Sequence, residues 1–201
     1  MLNARRSRGF TLIELLVGMS IVAVIVGLGV PSLATFLQST KLASAAKSYL
    51  IGVQTARTEA IRRNTQVEFL LTNSPVTAGV ENAAALNANG ANWVVRWFDP
   101  AAAAFALIEA KEAREGSAST FATPSVQIAG TANPGAFVGS IVFDGFGRTV
   151  TGDEFTLDLQ NPAGGACAPA GPMRCPRIRV PPGGRIALCD PVAAAGDSRA
   201  C

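Results

Sequence analysis

The sequence predicts an α+β protein in which one long N-terminal helix packs on antiparallel β-sheets. Two observations predict this fold class. Residues 15–40 form a run of 26 positions without a charged residue, and apolar residues at helical spacing continue to about residue 63. From Asn64 onward the pattern changes to short apolar runs bounded by turn-forming residues, which is typical of strands.

The uncharged run predicts a membrane segment. A bilayer core roughly 30 Å thick needs about 20 apolar helical residues, so the run is long enough to span it. Arg5, Arg6 and Arg8 precede the run, and the positive-inside bias places the extreme N-terminus in the cytoplasm and the bulk of the chain outside it. We therefore expect residues 10–40 to be the transmembrane half of helix 1 and residues 41–201 to form a globular domain that includes the amphipathic upper half.

Two simpler interpretations of this N-terminus compete. An ordinary secretory signal would use Ser32-Leu33-Ala34 as its cleavage site, but its apolar core runs only about 7–15 residues. A plain single-span anchor explains the length but not Glu14 at the head of the run. An ionisable side chain inside a membrane segment costs on the order of 2.5–3.5 kcal/mol, so Glu14 is expected to have a partner.

The start of the chain resembles the class III leader of type IV pilins and type II secretion pseudopilins over Arg8-Gly9-Phe10-Thr11-Leu12-Ile13-Glu14, followed by Leu15-Leu16-Val17. The resemblance implies that residues 1–9 are a leader, that prepilin peptidase cuts after Gly9, and that it methylates Phe10. Pro31 matches the proline in the upper part of the family's membrane helix. The resemblance also implies the bacterial inner membrane, a periplasmic globular domain, an assembly platform and other pilins as partners.

Cleavage after Gly9 would create a positively charged α-amine at Phe10, four residues from Glu14. Our hypothesis is that Glu14 pairs with the Phe10 amine of a neighbouring subunit and thereby sets the axial register of a filament.

The middle of helix 1 contains residues that weaken helices, namely Gly27, Gly29 and Pro31. Glycine costs about 1 kcal/mol relative to alanine, and proline removes a hydrogen bond. This segment would suit a subunit that leaves the bilayer for a filament, although membrane helices also tolerate such residues. Above it, one stripe is predicted to bury against the domain: residues 42, 45, 46, 49, 53, 56, 60 and 61.

Eight strands are predicted beyond Asn64, at residues 67–72, 93–98, 105–109, 126–129, 140–143, 155–159, 177–180 and 185–189. Asp144-Gly145-Phe146-Gly147 indicates a hairpin turn. Residues 73–92 and 110–124 are predicted loops.

Composition argues against an enzyme and against a metal site. The chain has 17 basic and 14 acidic residues, and without the three leader arginines the two signs balance. There is no histidine, which removes the usual general base and the commonest zinc ligand. No cofactor is implied. Cys167, Cys175, Cys189 and Cys201 are expected to form disulfides, in one of three pairings. Our guess is the local pairs, Cys167 with Cys175 and Cys189 with Cys201.

The C-terminal half resembles the GspH/FimT subgroup of pilin-like proteins. Residues 141–148 match its Phe-x-x-x-Gly-Arg hairpin, and Gly184-Arg185-Ile186 matches a late strand. Two roles follow from this resemblance and remain open: a minor pseudopilin of a type II secretion system, or a minor pilin of a type IV pilus.

A third role is DNA capture, because FimT-like binders use a C-terminal Gly-Arg-x-Arg element. Here the second arginine of that element is missing, since Ala187 occupies its place. A phosphate-binding patch would consist of Arg174, Arg177, Arg179 and Arg185. The alternative, which we favour, is that these arginines face solvent or pair with Asp190 and Asp197.

Overall fold

The computed structural model describes residues 10–112, 121–127, 134–135, 139–161 and 165–201. The chain divides into two compact units, Met1–Leu37 and Gln38–Cys201. Helix α1 (Leu12–Arg63) contributes residues to both units, and the described strands belong to the second. The predicted leader, with Gly9, lies outside the described residues.

Helix α1 begins with a capping box and ends with a Schellman motif. At its start the backbone N–H and the hydroxyl of Thr11 each donate to Glu14 Oε2 at 3.0 Å, and the Glu14 N–H donates to Thr11 Oγ1 at 3.3 Å. At its end Asn64 adopts a φ of 50°, and the Thr65 N–H donates to the Ala60 carbonyl at 3.2 Å. These bonds satisfy backbone groups that a helix end would otherwise leave unpaired.

The strands described form two antiparallel sheets. Their bounds are β1 (Val67–Thr72), β2 (Asn92–Asp99), β3 (Ala104–Lys111), β4 (Phe121–Gln127), β5 (Pro134–Gly135), β6 (Ser140–Phe143), β7 (Glu154–Gln160), β8 (Arg177–Val180) and β9 (Ala187–Cys189). The first sheet has the order β3-β2-β1-β6 and the second the order β5-β4-β7-β8-β9. The predicted α+β class, a long N-terminal helix with antiparallel sheets, is confirmed.

Three strands, β1, β6 and β8, have the predicted bounds, and β2, β3 and β7 are slightly longer than predicted. The loop predicted over 110–124 is wrong at both ends, because β3 continues to Lys111 and β4 begins at Phe121. Pro124 lies inside β4, although proline cannot donate to a ladder. Among the described strands Pro124 has a neighbour on one side only, where it pairs with Leu157, because β5 pairs with just the last two residues of β4. The predicted strand at 126–129 ends, as far as it is described, at Gln127.

The upper part of α1 buries the predicted stripe against both sheets. Leu42, Ala46, Tyr49, Val53, Ala56 and Ala60 belong to one cluster with Phe69, Trp93, Phe143, Leu157 and Ile178. Each large apolar side chain buried in this way contributes about 1.5–3 kcal/mol. Ile61, predicted on the same stripe, is instead 46% exposed.

Gly52 lets α1 approach the first sheet closely. A Cβ at this position would lie 2.8 Å from Phe69 Cε2 and 3.0 Å from Trp93 Cδ2. Nearby, the buried hydroxyl of Tyr49 donates to the Ala91 carbonyl at 2.8 Å, so the phenol has a partner inside the core. Ordinary helix propensity would favour alanine at residue 52, and close packing therefore decides that position.

The loop predicted at 73–92 contains the short helix α2 (Val80–Ala83), which covers the outer face of the first sheet. A second, smaller cluster there has the buried residues Leu70, Val80 and Val94. Beside it Arg96, only 9% exposed, donates to Glu68 Oε2 at 2.7 Å and to the Glu81 carbonyl at 2.6 Å. Both acceptors compensate a charge that would otherwise be costly to bury.

The glycines of two Gly-Arg pairs, Gly147-Arg148 and Gly184-Arg185, lie in contact with each other and with Arg57 of α1. Arg57 Nε donates to the Gly147 carbonyl at 3.0 Å. Gly184 lies against the same carbonyl, so closely that a Cβ on residue 184 would overlap it. Gly147 and Gly184 both have a φ of 74°, a conformation that side chains other than hydrogen disfavour. We call Arg57, Gly147 and Gly184 the glycine junction.

Candidate functional site

The helix start places one acid in a groove of apolar side chains. Phe10, Glu14, Leu15 and Gly18 line this groove on one face of α1. Phe10 precedes the cap residue Thr11 and Leu15 follows Glu14, which are the two positions of a hydrophobic staple. The Thr11 contact was missed in the sequence, although Thr-x-x-Glu before an apolar run is the signature of a capping box.

Apolar side chains surround this part of α1 on every face. Each of the following is at least half exposed: Leu12, Ile13, Leu15, Leu16, Val17, Met19, Ile21, Val22, Val24, Ile25 and Val26. Among the residues that the structure describes, no helical stretch is both long and apolar enough to cross a membrane. A helix that is apolar all round needs an apolar environment for most of its surface.

The candidate phosphate-binding arginines are mostly engaged by carboxylates. Arg177 donates to both carboxylate oxygens of Asp158, at 2.6 and 2.8 Å. Arg179 donates to Glu154 Oε1 through two nitrogens, at 2.8 and 2.6 Å. Hydrogen bonding to Asp158 raises the pKa of the Arg177 guanidinium. Both pairs run from β8 to the neighbouring strand β7, where Asp158 faces Arg177 in register.

Two further ion pairs involve the acids that the sequence suggested. Arg174 donates to Asp190 at 2.9 Å, and Arg199 donates to Asp197 at 2.7 Å. Of the four candidate arginines, Arg174 alone therefore pairs with one of the two expected acids, and Asp197 pairs instead with Arg199, which was not a candidate. The partners of the two β8 arginines could have been found only by knowing that β7 and β8 are neighbours.

Arg185 differs from the other C-terminal arginines. Its side chain is exposed, and within the described part of the chain it makes no hydrogen bond or ion pair. Arg179 and Arg185 line one cleft of about 290 Å³, together with Pro181, Ala187, Ala200 and the disulfide of Cys189 with Cys201. The structure therefore brings two of the four candidate arginines, Arg179 and Arg185, to one cleft, which Cys201 also lines.

The four cysteines form the two local disulfides that were guessed, Cys167–Cys175 and Cys189–Cys201. The second ties the C-terminal segment to β9. The same segment is held by the Asp190 N–H, which donates to the Arg199 carbonyl at 2.7 Å. Arg179 also donates to a main-chain carboxyl oxygen of Cys201 at 2.9 Å, and both cysteines of this disulfide line the cleft.

In the part of the chain that the structure describes, no cluster of His, Cys, Asp or Glu has the arrangement of a metal site. Burial raises the pKa of the Tyr49 phenol, which keeps it protonated and inert in the core.

Comparison with known proteins agrees with both halves of the chain. Residues 4–30 match the model of the prokaryotic N-terminal methylation motif, and residues 45–184 match the model of the type II transport protein GspH. No curated protein matches the sequence. Two crystal structures of the Pseudomonas aeruginosa (strain PAO1) type IV minor pilin FimU are similar. One is 18% identical with a TM-score of 0.49, covering 76% of this chain and 91% of FimU. The other is 16% identical with a TM-score of 0.45, covering 72% and 90%.

The GspH model covers more than two thirds of the 201 residues, and the methylation motif lies N-terminal to it, separated by residues 31–44. With the α+β fold and the antiparallel sheets already described, this coverage decides the family. The chain belongs to the GspH family of type II transport proteins, which are pilin-like structural subunits that carry an N-terminal methylation motif.

Proposed function

We propose that this chain is a minor pseudopilin or minor pilin, a subunit of the filament of a type II secretion system or a type IV pilus. It is inserted once in the bacterial inner membrane, with a cytoplasmic N-terminus and a periplasmic globular domain. Its partners are membrane lipid, prepilin peptidase, the inner-membrane assembly platform and other pilins. The uncharged run over residues 15–40, the basic residues before it and the methylation motif at 4–30 support this topology.

Processing after Gly9 prepares the subunit for assembly. Removal of residues 1–9 takes away three arginines and creates a methylated α-amine at Phe10. The Phe10 side chain is 90% exposed and lies in the groove that contains Glu14. An amine at this residue is therefore close to an acid and surrounded by apolar side chains.

Glu14 is the assembly residue in this proposal. In the single subunit Thr11 donates two hydrogen bonds to Glu14 Oε2, which stabilise the carboxylate before a neighbour arrives. A carboxylate accepts about four hydrogen bonds, so capacity remains for the Phe10 amine of the next subunit. In an apolar environment that charge pair is much stronger than in water, and it fixes the axial register of the helices.

The single observation that carries the proposal is an acid held at the start of a helix whose other described side chains, from Leu12 to Val26, are largely apolar and exposed. The test replaces Glu14 by Gln in the full chain and measures the subunit in sheared filaments and in membranes. Incorporation should be lost while membrane insertion stays normal. As a matched control, Arg199→Gln removes an exposed charge of the globular domain and should leave both unchanged. Normal incorporation of Glu14→Gln would end the proposal.

The membrane half of helix α1 bends when the subunit is extracted from the bilayer into the filament. Helix α1 includes Gly27, Gly29 and Pro31, and a helix weakened there would bend as the subunit leaves the bilayer. Replacing both glycines by alanine should slow entry into filaments without affecting processing.

The proteins that bind this chain would show whether it belongs to a secretion filament or to a pilus. Purification of the detergent-extracted chain, with mass spectrometry of the proteins bound to it, would separate a secretion filament from a pilus. Pseudopilins and secretion-platform proteins would support the first, and major pilin would support the second.

A further inference from the structure

We propose that Thr11 is a positioning residue for filament assembly. Its hydroxyl group holds the Glu14 carboxylate of the same subunit in the orientation that receives the Phe10 amine of a neighbour. The neighbour and its amine rest on the proposed function. The hydrogen bonds between Thr11 and Glu14 do not, because they form within one chain.

These hydrogen bonds hold the Glu14 carboxylate by one oxygen and leave the other open. The backbone N–H and the hydroxyl group of Thr11 both donate to Oε2, each at 3.0 Å. The second oxygen, Oε1, accepts no hydrogen bond from the residues that the structure describes. Since each carboxylate oxygen has about two lone-pair sites, Oε1 is available to a donor from another chain.

The same bonds determine where the carboxylate lies. A hydrogen bond to a residue three positions earlier directs the Glu14 side chain toward the N-terminal end of α1. Phe10 lies at that end and lines the same groove as Glu14. The described residues along this groove include Leu15 and Met19 but no charged side chain besides Glu14. An amine that enters the groove therefore meets a single anionic group, and Thr11 sets the position of that group.

Ordering the carboxylate before a partner arrives favours the pairing. A long, flexible side chain such as glutamate loses rotational freedom when it binds, and a contact that has already ordered it reduces this loss. The Thr11 hydroxyl group also accepts the Glu14 backbone N–H at 3.3 Å, so it caps the helix with the same oxygen that donates to the carboxylate.

Three substitutions of Thr11 separate the positioning of Glu14 from the capping of the helix. Serine keeps the hydroxyl group and both of its bonds. Valine keeps the shape of threonine but leaves only the backbone donor. Aspartate caps helices as well as serine does, but the ionised side chain cannot donate a hydrogen bond and repels the Glu14 carboxylate.

The assembly test introduces each substitution into the full chain and compares the subunit in sheared filaments with the subunit in membranes. Intact mass identifies the chains that begin at Phe10, and only these are counted. Thr11→Ser should assemble like the wild type. Thr11→Val should assemble about tenfold less, as expected for the loss of one hydrogen bond to a charged group. Thr11→Asp should assemble no better than Thr11→Val.

Ser20→Ala is the matched control. The Ser20 hydroxyl group lies in the same helix, but it donates to the Leu16 and Val17 carbonyls and not to Glu14. Its loss should leave assembly unchanged. A reduction as large as that of Thr11→Val would show that any lost hydroxyl group in this segment impairs assembly, which would overturn the proposal.

A second measurement does not depend on filaments. In detergent micelles, NMR of the full chain with ¹³C-labelled glutamate reports the side-chain order of Glu14, whose signals are assigned as those missing from Glu14→Gln. The two Cγ protons of Glu14 should differ in chemical shift in the wild type and in Thr11→Ser, and should become equivalent in Thr11→Val.

Equal order of the Glu14 side chain in Thr11→Val and the wild type would refute the positioning role. Normal assembly of processed Thr11→Val or Thr11→Asp would refute it too, as would a Thr11→Ser variant that assembles as poorly as Thr11→Val. If the wild type itself does not enter filaments, the proposed function fails and this inference fails with it.

Discussion

Replacement of Gly184 by alanine should destabilise the globular domain much more than the same change at two other glycines. Residue 184 combines two restrictions, a φ of 74° and a position where a Cβ would overlap the Gly147 carbonyl. Gly152 has a φ of 71° but nothing within 4 Å, and neighbouring Gly183 has neither restriction. The three substitutions therefore separate backbone strain from close packing.

The expected magnitudes follow from these contacts. The left-handed conformation costs an alanine about 1–2 kcal/mol, which is the whole effect at Gly152. At Gly184 overpacking adds about 1–3 kcal/mol, and displacing Arg57 from the Gly147 carbonyl adds about 1 kcal/mol more. The sum is about 3–6 kcal/mol. Gly183→Ala should be neutral or stabilise by up to about 1 kcal/mol, through the entropy of the unfolded chain.

Thermal unfolding of the full chain in detergent, followed by tryptophan fluorescence, measures these differences. Since 1 kcal/mol shifts the Tm by about 2–4 °C at this chain length, Gly184→Ala should lower it by about 6–24 °C. Gly152→Ala should lower the Tm by about 2–8 °C, a third of that loss. If Gly184→Ala behaves like Gly152→Ala, the glycine junction does not pack as described. If Gly183→Ala is as damaging, the loop is sensitive for another reason.

Three further outcomes are expected. Gly52→Ala should lower the Tm by a few degrees despite the better helix propensity of alanine, because the added methyl would press on Trp93; an increased Tm would refute the close contact. Hydrogen bonds from Arg62 and then Arg63 lower the pKa of Glu59 from 4.5 to about 2. Because the folded-state pKa is the lower one, this stabilisation is present above about pH 4.5 and is lost as the pH falls toward 2. Glu59→Gln should thus lower the Tm at pH 7 but not at pH 2, and an equal loss at both values would contradict the assignment. In a gel shift, the detergent-solubilised chain should not bind DNA in a salt-sensitive way, since most of its C-terminal arginines are already paired; retardation at low salt that disappears in Arg177→Ala/Arg179→Ala would reverse this conclusion.

Local sequence patterns were sufficient to predict the strands whose apolar residues alternate and the helix whose apolar residues recur at helical spacing. The burial of β8 alternates between partly buried arginines and buried Ile178 and Val180, as its sequence predicts. The buried stripe of α1 was also predictable from spacing, up to Ala60. Strand β4 was not, because its proline is tolerated only where a neighbouring strand is missing, and that depends on the whole sheet.

In the candidate sites, contacts between residues close in sequence were predictable, whereas contacts between distant residues were not. The capping box of Thr11 with Glu14 is local, and its signature was visible in the sequence. The partners of Arg177 and Arg179 lie some 20 residues away on β7, so their neutralisation required the strand register. The contact of Gly147 with Gly184 joins two motifs that the sequence separates by 37 positions.

The central claim is that an acid near the start of a membrane helix receives its partner only after the leader has been removed. Intact-mass analysis of the native protein, extracted from membranes, tests it most directly. The account predicts a chain that begins at Phe10 and carries one added methyl group on its N-terminal amine. A chain that starts at Met1, or one that starts near Thr35, would contradict it.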